Sequence, residues 1–589
     1  MKRIALEWPL LAIFVVALVM RAWGTSFGLP YDLTADEPHQ ILQALKIGAG
    51  EGGPLVQMWH TVGKGGLDFL LFLEYGLLFA FWWLTGKVSS ANDFAMVYLT
   101  DPTAFYLLGR LTIAGLGALT CVAVYAAGRH MFGRGTALLA ALIGALAIDH
   151  ATNSHLINVH IPMAAALWAA VWCYCEYERT PTRTRLLLSG VLAGLAISLA
   201  YNAVIGLAML VFAVMIWRDP AVQGRARVVA LATLLGGAFI TIALFSPDLI
   251  GGAGALLHNF EQVLDSSPPA VGTVPPPGAD TRAAIDGLTL LRAQSWRDYL
   301  LILIGSRYLP VTLAALVGGV VGLYRRERWC WLLAGSTVLL VVILSASDRG
   351  ASERYMAPMS PALWLLAARG ISALAALAAL AAHRRWLRAA LVVAVVTPGT
   401  IGLLRTDYTL SRTDTRVLAK QWIETHLPAE AKVLMDGMRF RYIQSPPLKA
   451  NSVALERQLE ALKTSELQYP KRFLDLYRRA QASHSGPRYD LHSTMYGLDI
   501  RDLDYYVAAC FDYVVVSSDV TDRFVAGPHR QQWPAAAAFY DGLASHPAYH
   551  ELYRISGEPW RAPGPSITVY AIDSACGNRS EWLRDGAGH

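Results

Sequence analysis

Twelve apolar runs constrain this chain more than any other feature. They fall near 8–23, 67–84, 105–128, 136–149, 161–177, 186–200, 203–217, 228–246, 299–323, 329–346, 357–380 and 387–404. A backbone in lipid must satisfy its own polar groups, so such runs predict membrane helices. A spanning helix needs about 20 apolar residues, and the shorter runs must borrow from their flanks. Composition agrees: of 589 residues 54% are hydrophobic and 16% charged, where a soluble protein carries about a quarter charged. The net charge of +6 lies mostly in short loops between apolar runs. It therefore reports orientation and excludes nucleic acid as the expected partner. Lys2 and Arg3 precede the first run, Trp8 to Trp23, and no small-residue cleavage site follows it. That run is expected to stay as an anchor.

Basic loops then set sidedness. Arg129/His130/Arg134, Arg179/Arg183/Arg185, Arg218/Arg225/Arg227, Arg325/Arg326/Arg328 and His383/Arg384/Arg385/Arg388 should all be cytoplasmic. They share one side only if 67–84 lies in the interface. Lys64, Asp68, Glu74 and a run of aromatic residues there suit that role. The expectation is about eleven spans with the N-terminus inside. Residues 1–405 form the membrane domain, with a first outer loop at 24–104 and a Pro-rich outer loop at 247–298. Ser267-Pro268-Pro269 and Pro275-Pro276-Pro277-Gly278 in the latter suit a lid or a plain linker. Residues 406–589 read as an extracytoplasmic α/β domain, with a helix at 414–426 and strands at 431–436, 511–517 and 566–572. Cys121, Cys173, Cys175 and Cys330 fall in apolar runs. Cys510 and Cys576 can form one disulfide if the tail lies outside the cytoplasm.

Parity places the chemically interesting side chains on the outer face. Asp36-Glu37-Pro38 puts two carboxylates at a helix start, since Pro fits the first turn and Asp can cap it. A bare helix cap is the competing reading. The second outer loop carries Asp149, His150, His155, Asn158 and His160. These are candidates for binding a phosphate or a divalent metal, with Asp149 and His150 as metal candidates, although the spacing matches no standard zinc pattern. Lys64, Arg307, Arg349, Arg354 and Tyr355 complete the set as candidate phosphate-binding groups. Interfacial anchoring and local ion pairing with Glu353 is the simpler account of the arginines.

These motifs, in their order, resemble the polytopic C-type glycosyltransferases of family 39, which include protein O-mannosyltransferases and the lipid A aminoarabinose transferase. The resemblance rests on Asp36-Glu37-Pro38, on Asp101 to Leu111 followed by Val124 to Gly133, on Ser154 to Pro162, and on Arg354 to Leu363. It implies a multi-pass protein of a bacterial cytoplasmic (inner) membrane. It also implies transfer of a sugar from a polyprenyl-phosphate donor to an extracytoplasmic acceptor, with inversion. Asp36 would be the general base and Glu37 its orienter or an alternate base, with membrane lipids as further partners. The family often has Asp where this chain has His160, and Gly63 precedes Lys64 where a carboxylate would serve a metal. A divalent metal is thus the one cofactor left open. A catalytically inactive assembly subunit and a lipid or solute transporter are the alternatives; the few mid-helix charges argue against the second.

Overall fold

The apolar runs fold as helices. The computed structural model describes residues 7–34, 36–49, 65–216, 224–247, 249, 295–345, 352–377, 384–437, 444–463, 471–494, 497–525, 530–558, 560–574 and 576. After Trp8–Ala22 come two helices of the first loop, Glu37–Ala49 and Gly65–Leu84, then Ala91–Thr100 and the long Thr103–Phe132. Ser90 caps Ala91–Thr100 by accepting from Asp93 N at 3.2 Å, and Asp101 accepts from Thr103 N at 3.1 Å. Both satisfy amides that a helix start leaves without partners. The expected tight turn at Tyr201-Asn202 is a short 3-10 helix, Tyr201–Ala203, between Arg183–Leu199 and Val204–Ile216.

Among the described residues, five helical segments are long and apolar enough to cross a membrane by length and composition, or six if one bent pair counts as a span. Gly65–Leu84, read from sequence as interfacial, is one of the five. The run at 299–323 is not one straight helix. It is Ser295–Ile304 followed by Leu309–Tyr324, bent by 98°. Gly305 and Pro310 flank the corner, the residue types at which helices break. The Pro-rich stretch of the 247–298 loop lies outside the described residues.

The tail opens with Thr415–His426, capped by Asp414, which accepts from Arg416 N at 2.9 Å. It builds a five-stranded sheet from β1 (Lys432–Met435), β2 (Asp490–Ser493), β3 (Tyr513–Ser517), β4 (Tyr549–Ile555) and β5 (Ile567–Ile572). The order is β2-β1-β3-β5-β4, parallel across the first three and antiparallel beyond. Side chains alternate across the sheet. Val433, Met435, Val515 and Val569 enter one core, and Leu434, Val514, Val516 and Tyr570 the other. A sheet with both faces covered reads as continuous apolar strands, as Tyr513-Val514-Val515-Val516 does. Cys510 and Cys576 are bonded, with Cα atoms 5.7 Å apart. The tail is tied to the first loop: Arg416 donates to Leu33 O at 3.1 Å, and Arg472 to Asn92 Oδ1 at 2.9 and 2.7 Å.

Candidate active site

The two adjacent carboxylates face different surroundings. Glu37 is 1% exposed. Arg110, projecting from Thr103–Phe132, donates to it twice, Nε to Oε1 at 2.8 Å and Nη2 to Oε2 at 2.7 Å. The Ile157 amide donates to Oε1 at 2.8 Å and the Thr34 hydroxyl to Oε2 at 2.7 Å. The remaining Arg110 donor holds Thr25 O and Phe27 O. One ion pair therefore pins the first loop, the long helix and the second loop together. With four donors on its two oxygens, Glu37 is already saturated.

Asp36 points the other way. Its side chain is 57% exposed and takes a 2.8 Å hydrogen bond from Arg354, itself 40% exposed. Arg354 lies 5.4 Å from the Tyr355 ring, which meets the His160 ring edge-on at 5.6 Å. Asn202 donates to Tyr355 O at 3.1 Å. Glu353, one residue before Arg354, accepts from the Tyr308 hydroxyl at 2.5 Å. Tyr308 and Arg307 sit at the corner of the broken helix. They border an open cleft of about 420 Å³ that Asp298 and Glu353 also line. Behind it a space of about 50 Å³ brings Arg307 beside Asp149 and Ser360. Asp36, His160, Arg354 and Tyr355, scattered over some three hundred residues of sequence, are thus linked side chain to side chain, and Arg307 lies in the cleft that Glu353 also lines.

Other expected residues are placed differently. His155 is buried, its Nε2 3.1 Å from Asp407 Oδ1 on the helix Arg384–Leu410. Both side chains are closed to solvent, so His155 fastens the second loop to the last membrane helix and does not line the accessible face. The metal candidates do not converge. Asp149 accepts from Ser360 at 2.9 Å, while His150 Nδ1 lies 3.2 Å from Nη2 of Arg21. A guanidinium there opposes a second cation. Among the described residues no three His, Cys, Asp or Glu side chains gather in a metal-binding group. Lys64 and Arg349 lie outside the described residues.

Three buried charged side chains that meet these residues are not singled out by the sequence reading: Arg110, Arg21 and Asp407. Each is an ionisable residue in or beside an apolar run, and such residues usually have partners. That was the available signal; the identity of the partner was not.

Residues 107–250 match the model of the dolichyl-phosphate-mannose-protein mannosyltransferase family. The match lies within the stretch that resembles family 39 and supports that resemblance. No curated protein matches the chain. Similar solved structures include the oligosaccharyltransferase of Archaeoglobus fulgidus in its apo form, at 12% identity and TM-score 0.49 over 96% of this chain and 76% of that one. Another is ArnT of Cupriavidus metallidurans bound to undecaprenyl phosphate, at 15% identity and TM-score 0.44 over 96% of this chain and 98% of that one. A third is the archaeal oligosaccharyltransferase AglB of Archaeoglobus fulgidus with an inhibitory peptide and a dolichol-phosphate, at 11% identity and TM-score 0.44 over 93% and 73%.

Proposed function

We propose that this protein is a membrane glycosyltransferase that moves a sugar from a polyprenyl-phosphate donor to an acceptor outside the cytoplasm, with inversion. The observation that carries the reading is the division of labour between Asp36 and Glu37. A base must be reachable by the acceptor, and Asp36 is open. It must also be held still, and the saturated Glu37–Arg110 pair holds the helix start on which it stands. The family match over 107–250 agrees with a lipid-phosphate donor.

In the reaction the acceptor oxygen forms a bond to the anomeric carbon. The bond from that carbon to the phosphate oxygen breaks, and its electron pair leaves with the lipid phosphate. The acceptor proton passes to Asp36. Arg354 and Arg307 meet the charge that grows on the phosphate. Arg354 then has two states, paired with Asp36 at rest and shared with phosphate when donor is bound. His160 and Tyr355 wall the sugar side, a role that takes no carboxylate at position 160. The Cys510–Cys576 bond suits a tail domain in an oxidising compartment, which agrees with a cytoplasmic N-terminus and the site on the outer face of a bacterial inner membrane.

The test is Asp36→Asn, reconstituted in liposomes with radiolabelled polyprenyl-phosphate sugars. Loss of general-base catalysis should lower transfer by about 10²- to 10⁴-fold with donor binding kept. Wild-type transfer that survives the substitution removes Asp36 from the mechanism. A wild type inert toward every donor points instead to an inactive assembly subunit.

A further inference from the structure

Trp560 of the tail has a φ of +84°, a conformation that a bulky side chain rarely adopts and that glycine takes freely. Strain of this kind persists only where the surroundings impose it. The turn that carries Trp560 is tied down from behind. Arg561 N and Ala562 N donate to Glu558 O, both at 3.1 Å, and Thr415 N donates to Pro563 O at 2.8 Å. The Trp560 ring joins neither apolar core of the tail and is 45% exposed. It turns instead to the tail-side end of the last membrane helix, Arg384–Leu410. Its centroid lies 5.0 Å from the Arg405 guanidinium carbon and 6.0 Å from the Tyr408 ring.

At that end of the helix an apolar surface gives way to a basic and aromatic one. Ile401, Leu404, Arg405 and Tyr408 share one face at helical spacing, with Ile401 and Leu404 exposed. Arg412 follows just beyond, 4.6 Å from the Tyr408 ring. Arg405 meets the Trp560 ring and Arg412 meets Tyr408, so among the described residues neither charge is met by a carboxylate. Trp23, at the end of the first helix, is exposed as well. Gly24 beside it packs on the same place: a Cβ there would lie 2.9 Å from Leu410 Cβ. Two exposed tryptophans from opposite ends of the chain and a tyrosine thus stand near one level, directly past the apolar stretch. Trp and Tyr concentrate at the headgroup level of a bilayer, and a guanidinium suits a phosphate. We propose that Trp560 anchors the tail domain in the headgroup layer of the leaflet on its own side, with Arg405 and Arg412 gripping the phosphate of an anionic phospholipid there. A second copy of the chain packed two-fold on this patch would bring the same uncancelled guanidiniums face to face.

The test uses the full chain in nanodiscs of phosphatidylcholine and phosphatidylglycerol. Trp560→Cys is labelled with a nitrobenzoxadiazole dye and read against wild type taken through the same labelling. A nitroxide near the head of the acyl chain should quench the dye at least twofold more than one near the chain end. Quenching should be stronger when phosphatidylglycerol carries the nitroxide than when phosphatidylcholine does. Arg405→Gln with Arg412→Gln should remove that preference, each arginine adding up to about fivefold in attraction for anionic lipid. A label-free arm uses Trp560→Gly, which suits the φ of +84° and should keep the melting temperature in detergent. The difference in emission between wild type and Trp560→Gly isolates Trp560. It should fall by at least half when the lipids carry bromine near the head of the chain. A dye and a tryptophan that no lipid-borne quencher reaches place the turn in water or against protein and overturn the proposal. So do equal quenching from the two lipids, and dye self-quenching that reports a second copy on the patch.

Discussion

Glu37 and Arg110 together bury a full charge pair, each side chain 1% exposed. Removing one member of such a pair leaves the other charged, desolvated and alone, which typically costs about 3–5 kcal/mol. Arg110→Met should therefore destabilise strongly, and Glu37→Gln should do so less, since the amide keeps the shape and half of the acceptors. Pairing the two substitutions should recover part of the loss. Thermal unfolding of all three variants in detergent checks this. Additive losses in the double variant would show that the pair is not coupled. Asp36→Asn should leave the unfolding temperature nearly unchanged, because an exposed ion pair contributes little. That contrast separates a residue kept for chemistry from one kept for position.

At the scale of elements, the helix ends decide where side chains converge. Arg21 reaches across from Trp8–Ala22 to donate to Ala145 O at 3.1 Å and Gly144 O at 2.8 Å. It thereby adds donors to the last carbonyls of Arg134–Ala145, which a helix end leaves short of partners. This fixes where the segment after that helix begins. The approach is possible because Gly117 leaves space: a Cβ there would lie 2.5 Å from Ser154 Oγ and 2.9 Å from Arg21 Cδ. Gly117→Val should push both away, lower transfer activity and reduce stability by roughly 1–3 kcal/mol. Assay and melting temperature should fall together; unchanged values for both would mean that the loop is positioned by other contacts. Within the sheet, Asp436 follows β1 and is buried. It accepts from Tyr540 at 2.6 Å and Ser517 N at 3.1 Å. Burial raises its carboxyl from 3.8 to about 7. A raised acid holds its proton more tightly in the fold, so its stabilising contribution is full below 3.8 and is lost as pH rises through about 7. Unfolding temperature of the full chain should fall over that window through this group, and Asp436→Asn should flatten the slope. A slope identical in both proteins would assign it to other groups.

For the whole molecule, the order of elements was readable and their convergence was not. The apolar runs marked most helix positions because length and hydrophobicity are local properties. β1, β3 and β5 were readable as short apolar β-rich runs, whereas β2, as Asp490-Leu491-His492-Ser493, carries no such signal and is held by its neighbour β1. The run at 299–323 reads as one apolar span despite Gly305-Ser306-Arg307 within it, and hydropathy does not register a 98° corner. His155 looked like a surface ligand because an outer loop is polar as a class. Its burial against Asp407 depends on a helix some 250 residues later in the chain. Tail and membrane domain, read as separate units, share the contacts Arg416–Leu33 and Arg472–Asn92 and enclose a cavity between them. Neither half forecasts it alone.

Residue type and spacing by themselves determined a helical membrane domain, a mixed α/β tail, and a pair of carboxylates at a helix start. Those follow from periodicity, propensity and the solvation of charge, which act over a few residues. Which carboxylate is open and which is locked was decided only in three dimensions. Asp36 and Glu37 are the same chemistry one residue apart on a helix start, and the arginine that meets each, Arg354 or Arg110, arrives from a different distant helix or loop.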